Sequence, residues 1–91
     1  MDNPELLKNE YKVYVAVLEL RRVDGTILPR AVTWEDGRTY EVERVLDIRP
    51  AASLKCGGAG IRYKIRVRGR DTYLWLEDQR YFVERRNPRA I

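Results

Sequence analysis

Residues 61–68 read Ile-Arg-Tyr-Lys-Ile-Arg-Val-Arg and alternate apolar and basic side chains without interruption. Because successive side chains on a β-strand point to opposite faces, this pattern predicts a half-buried strand. We expect Tyr63, Ile65 and Val67 to be buried, with Leu74, Leu76 and Val83 of the following strands on the same side. The other face then carries a row of four cations: Arg62, Lys64, Arg66 and Arg68.

The composition is that of one small folded domain with a basic second part. The chain has 91 residues, of which 44% are hydrophobic and 35% charged, and a net charge of +4. These values favour a packed domain over a disordered chain. Residues 61–91 hold nine Lys or Arg against four Asp or Glu, a net charge of +5, whereas residues 1–60 carry a net charge of −1 from nine against ten. An arginine-rich surface suits anionic partners but also occurs in ordinary soluble proteins.

Sequence features predict a cytoplasmic protein without a membrane partner. No apolar run approaches the roughly 20 residues of a membrane span. The first five residues do not resemble a signal peptide. A single cysteine, Cys56, excludes an internal disulfide and fits a reducing compartment.

The chain divides into an N-terminal arm (1–10), one β domain (11–86) and a basic tail (87–91). Apolar alternation and β-branched residues predict about six strands in the domain. They are residues 11–20, 31–34, 38–48, 61–68, 72–77 and 80–85. In the third of these, Val45 and Leu46 change the phase of the alternation, which predicts a β-bulge near Glu43-Arg44.

Four short polar pairs predict the turns between these strands. Asp24-Gly25 suits the positive φ angles of a type I′ turn, and Asp36-Gly37 predicts a second hairpin. Gly69-Arg70 predicts a two-residue type II′ turn that places Lys64 opposite Trp75. Asp78-Gln79 connects the last two strands and places Phe82 opposite Trp75. The connection at residues 49–60 is the only long one in the chain.

No segment has a helical apolar period of useful length, so the fold class is all-β. Closing the sheet would hide its edges, and we expect a small SH3-like or similar barrel of about six antiparallel strands. A strongly bent open meander is the alternative.

The predicted turns bring one candidate ligand or partner face together. It consists of Arg62, Lys64, Arg66, Tyr73, Trp75 and Phe82. Such a face indicates a small binding or adaptor domain that makes a protein–protein or homodimer contact, because aromatic and Arg residues favour interface centres. Single-stranded nucleic acid or another anion is the alternative ligand, since bases stack on rings and phosphates bind Arg. The same residues could also simply stabilise the sheet, or lie under residues 1–10.

Other candidates for chemistry are weaker. Lys55, Gly57 and Gly58 could contact an anion. A phosphate-binding P-loop is excluded, because the lysine of a P-loop follows its glycines, whereas Lys55 precedes them. The chain has no histidine, so Cys56 has no imidazole base and no His-containing metal site can form. We expect no enzyme activity, no cofactor and no metal.

Residues 34–42, Trp-Glu-Asp-Gly-Arg-Thr-Tyr-Glu-Val, followed by Val45-Leu46-Asp47 and closed by residues 81–85, resemble a group of short bacterial proteins of unknown function. Residues 48–55 and 60–63 add to this resemblance, which spans residues 27–86. More distant similar domains occur near translesion-type DNA polymerases. The resemblance implies a small β domain and brings no substrate, cofactor or catalytic residue.

Overall fold

The computed structural model describes residues 12–50 and 60–84, and every regular element within these two ranges is a β-strand. The strands are β1 (Lys12–Arg21), β2 (Ile27–Thr33), β3 (Thr39–Glu41), β4 (Arg44–Pro50), β5 (Gly60–Val67), β6 (Arg70–Glu77) and β7 (Arg80–Glu84). The predicted N-terminal arm, the basic tail and most of the connection at 49–60 lie outside the described residues.

All seven strands form one antiparallel sheet in the order β3-β2-β1-β7-β6-β5-β4. The two edge strands, β3 and β4, are consecutive in the chain, so the sheet must curl back on itself. The Val42 amide donates to Arg30 of β2, and the Glu43 amide donates to Arg66 of β5, each over 2.8 Å. Beyond this junction β2 and β4 diverge around a cavity of about 600 Å³. The molecule is therefore an all-β, barrel-like sheet that remains open on one side.

The predicted strand at 38–48 is in fact two strands. It breaks at Val42 and Glu43, where the chain passes from one edge of the sheet to the other. The predicted bulge lies later than expected: Val45 is opposite Ile65 and Asp47 is opposite Lys64, which leaves Leu46 as the extra residue. This break raises the number of strands from the expected six to seven.

Two of the predicted turn types are wrong. Arg68 and Gly69, with φ angles of 53° and 76°, form the β5–β6 turn, so the pair is one residue earlier than expected and both members have positive φ. This is the pattern of a type I′ turn rather than type II′. In the Asp24-Gly25 pair only Gly25 has a positive φ, which excludes type I′ there.

Because the β5–β6 turn lies one residue earlier, the register between these strands differs from the expected one by two residues. Lys64 is opposite Tyr73 and Arg62 is opposite Trp75. An even shift leaves every side chain on its predicted face. The expected pairing of Trp75 with Phe82 across the Asp78-Gln79 turn is confirmed.

The core lies on the inner, concave-side face of the curled sheet and has the predicted residues at its centre. Tyr63, Ile65, Val67 and Leu74 are buried, together with Val32 and Tyr81. Leu76 and Val83, also expected in the core, are half-buried and pack against it. The alternating pattern of residues 61–67 therefore corresponds to the observed burial.

Candidate binding face

The outer side chains of β4 and β5 form a surface that we call the basic face. Arg44 lies opposite Arg66, Asp47 opposite Lys64, and Arg49 opposite Arg62. Since Tyr63, Ile65 and Val67 point inward, these opposed side chains all point outward. The basic face consists of Arg44, Asp47, Arg49, Arg62, Lys64 and Arg66.

Two of the opposed pairs on this face bring like charges together, Arg44 with Arg66 and Arg49 with Arg62. Like charges directly opposite each other destabilise a sheet, by a few tenths to about 1 kcal/mol per pair. Carboxylates relieve part of this repulsion. Asp71 accepts a 2.9 Å hydrogen bond from Nε of Arg66, and Asp47 accepts a 2.7 Å bond from Nε of Arg49.

These hydrogen bonds shift the ionisation of both partners. The bond from Arg66 lowers the pKa of Asp71 and raises the pKa of Arg66. The bond from Arg49 likewise lowers the pKa of Asp47 and raises that of Arg49. Both pairs are well exposed, so they contribute little stability.

Next to the basic face, four rings cross β6, β7 and β1 in an aromatic row: Tyr73, Trp75, Phe82 and Tyr14. The rings of Trp75 and Phe82 are stacked, with centroids 6.0 Å apart and planes 2° apart. Tyr14 meets Phe82 edge-on at 5.7 Å. Such aromatic pairs stabilise a sheet beyond the area they bury.

A cation lies over each ring of this row. The guanidinium of Arg62 is 4.7 Å from the Tyr73 centroid and 5.8 Å from that of Trp75. Nζ of Lys12 is 4.7 Å from the Phe82 centroid. The Arg80 guanidinium is 3.9 Å from the centroid of Tyr14. The face therefore presents charge and ring surface together.

The structure brings all six predicted face residues onto one side of the sheet, but it changes the role of Phe82. Its side chain is only 2% exposed, so it is not the outward ring that the sequence suggested. Trp75, Tyr14 and Lys12 lie against it from the neighbouring strands. The exposed rings of the row are Tyr73 at 42% and Tyr14 at 48%.

Sequence reasoning missed Arg44, Arg49 and Tyr14. The bulge at Leu46 breaks the period-2 pattern on which the outward side of β4 would be recognised. Tyr14 stands in a run of apolar residues, where alternation does not distinguish the two faces. Lys55, Gly57 and Gly58, the weaker anion candidate, lie outside the described residues, as does Cys56.

Within residues 12–50 and 60–84, no group of three or more His, Cys, Asp and Glu side chains could hold a metal ion. In the same part of the chain, no helix has the length and apolar character that crossing a membrane requires.

Comparison of the chain with protein-family models, with curated proteins and with solved structures finds no match. What the fold and the face define is therefore the class of molecule: a small all-β domain with a basic and aromatic outer sheet surface.

Proposed function

We propose that the protein is a small non-enzymatic binding domain whose basic face recognises an anionic polymer, with single-stranded nucleic acid as the favoured class. The observation that carries the proposal is that two pairs of arginines lie directly opposite each other on β4 and β5. The face sets five cations against Asp47 and Asp71, a local net charge of +3. Binding of phosphates would offset the repulsion that this arrangement creates.

The neighbouring ring makes a single strand a better ligand than a simple anion. Tyr73 is 42% exposed and lies opposite Lys64, with Arg62 over its ring. An unpaired base can stack on Tyr73 and on the guanidinium plane while its phosphates contact Lys64 and Arg44. Residues 27–86 resemble a group of short bacterial proteins, and the more distant similar domains near translesion-type DNA polymerases would agree with this proposal.

A protein or homodimer contact through the same face has less support than the sequence suggested. That expectation depended on three outward rings, and Phe82 is 2% exposed while Trp75 is half-buried beside Arg62. Tyr73 and Tyr14 remain as exposed rings for such a contact.

Fluorescence polarisation with labelled single-stranded DNA, single-stranded RNA and duplex DNA, each at 50 and 200 mM salt, tests the proposal. We expect the single strands to bind, with an affinity that falls as salt rises because counterions are released.

Replacing Lys64 by Gln removes a cation from the face, so it should weaken binding and reduce the log–log salt slope by about 0.7. Tyr73→Ala should weaken binding about 5-fold to 150-fold, the equivalent of 1–3 kcal/mol of stacking.

Arg38→Gln is the matched control, because this arginine lies in the β2–β3 turn, where it pairs with Asp36 at 3.9 Å. It removes one positive charge without touching the basic face. No binding at 50 mM salt with micromolar protein would refute the proposal. Equal effects of Lys64→Gln and Arg38→Gln would also refute it, since the charge would then act non-specifically.

A further inference from the structure

The outer side of β1 is apolar from Tyr14 to Leu20, which is unusual for a strand that faces water. Tyr14, Ala16, Leu18 and Leu20 all point outward, because Val13, Val15 and Val17 point to the core side. Leu18 is 69% exposed and Leu20 is 46% exposed. A row of exposed apolar side chains along one face of a strand is typical of a face that another surface covers.

The same part of β1 also has an unpaired edge. β1 pairs with β7 only as far as Val15, which lies opposite Tyr81. From Ala16 to Arg21 it pairs with β2 on one side, and no described strand pairs with its other side. A cavity of about 710 Å³ lies along this edge, with Ala16, Val17 and Glu19 among its lining residues. Exposed edges of this kind are templates for pairing with another strand.

We propose that a second copy of the chain occupies this edge, and that two β1 strands pair antiparallel across a two-fold axis. Antiparallel pairing of two identical strands is two-fold symmetric, so it closes the assembly at a dimer. The sheet would then run continuously through both copies. On its outer side Leu20 of each copy would face its own copy, with Leu18 of one copy diagonal to Leu20 of the other.

The charges on the inner side of β1 select the register. Glu19 and Arg21 share that side, and their charged atoms lie 4.0 Å apart within one chain. If the two-fold axis passes at Leu20, Glu19 of each copy lies opposite Arg21 of the partner subunit, which makes two such pairs. Leu20 then lies opposite Leu20 of the partner subunit. An axis at Glu19 would instead oppose two carboxylates. The self-complementary Glu-Leu-Arg sequence at residues 19–21 therefore favours the axis at Leu20.

This dimer goes beyond the proposed nucleic-acid binding, because in the sheet β6 and β7 separate β1 from the basic face on β4 and β5. A continuous sheet would place both basic faces on the same outer side. A monomeric protein would leave the proposed nucleic-acid binding untouched. Likewise, a protein that binds no nucleic acid would leave the proposed dimer untouched.

Sedimentation equilibrium on the full chain between 10 µM and 1 mM tests this inference. We expect the wild type to form a dimer. Leu20→Lys should raise its dissociation constant at least 10-fold, because two ammonium groups would meet at the axis. Leu20 is 46% exposed, so we expect this variant to fold, and a thermal unfolding curve checks that it does. The matched control is Tyr73→Lys, a similarly exposed position on the opposite part of the outer face.

A charge exchange tests the register. Arg21→Glu should weaken the dimer, and the double variant Glu19→Arg with Arg21→Glu should restore it. A wild type that stays monomeric at 1 mM would overturn the inference. So would a dimer that survives Leu20→Lys, or one that Tyr73→Lys disrupts instead.

Discussion

Tyr81 is a buried residue whose ionisation the fold shifts strongly. Its hydroxyl donates a 2.7 Å hydrogen bond to Oε1 of Glu19, and its ring lies 6.4 Å from that of Tyr63. Burial and the bond to the Glu19 carboxylate raise its pKa well above the usual value. Burial also raises the pKa of Tyr63. Both phenols are therefore held protonated in the folded chain.

These raised pKa values predict a loss of stability in alkali. The folded state binds the phenolic proton more tightly than the unfolded state, whose tyrosines ionise near pH 10. The contribution is therefore fully present below pH 10 and falls as the pH rises above it. Tyr81→Phe should lower the unfolding free energy by about 1 kcal/mol at pH 8, through the lost hydrogen bond. The variant should also lose less unfolding free energy than the wild type between pH 8 and pH 11. Urea unfolding at both pH values measures this, and equal losses in the wild type and the variant would contradict it.

At the scale of elements, the β6–β7 turn has an unusual sequence for its geometry. Asp78 and Gln79 both have positive φ, 51° and 63°. A type I′ turn places both central residues in this left-handed region, where a Cβ costs roughly 1–2 kcal/mol. Neither residue is glycine, whereas the β5–β6 turn has Gly69 at its second position.

Gln79→Gly should therefore stabilise the protein by about 0.5–1 kcal/mol, after the higher entropy of glycine in the unfolded chain is subtracted. The midpoint of urea unfolding should rise without a change of slope. Gln79→Ala is the control, because it shortens the side chain but keeps the Cβ, and it should bring no comparable gain. An equal gain from both substitutions would show that the long side chain, and not the backbone conformation, carries the cost.

The elements also show how far the sequence determines the fold. Strict alternation at residues 61–67 correctly predicted the buried side of β5, and this survived the two-residue error in register because the shift was even. The break at Val42 and Glu43 was not predictable in the same way. Their amides bond to Arg30 and Arg66, residues that only the curl of the whole sheet brings near. Local patterns carry no signal for such a contact.

The candidate face was largely predictable from the same alternation of side chains. The exposure of Phe82 was predicted wrongly, because it depends on a strand distant in sequence. Alternation placed Arg62, Lys64 and Tyr73 on one side, as observed. The burial of Phe82 required β1 as well, because Lys12 and Tyr14 contact its ring from the far side of β7. Neither residue neighbours Phe82 in sequence, so its exposure could not be derived from its own hairpin.

For the molecule as a whole, a side-chain hydrogen bond connects β2 and β5, the strands next to the two edges of the curled sheet, across its interior. The hydroxyl of Tyr63 on β5 donates to the carbonyl of Ile27 on β2 over 2.7 Å. Three strands, β1, β7 and β6, separate β2 from β5 along the sheet. The contact therefore exists only because the sheet is bent, and it lies at the side where β2 and β4 diverge.

Tyr63→Phe removes this bond and keeps the ring in the core, where the side chain is 1% exposed. We expect a loss of about 1 kcal/mol in unfolding free energy. The local consequence is more specific: residues 27–30 of β2 lose their link to β5, so their amides should exchange hydrogen faster. Amides of the β5–β6 pairing should keep their protection relative to global unfolding, because that ladder does not involve Ile27. Tyr81→Phe is the matched control, since its lost bond is to Glu19 and leaves Ile27 untouched. Faster exchange spread evenly over all strands would mean that the bond supports global stability and does not hold the open side of the sheet.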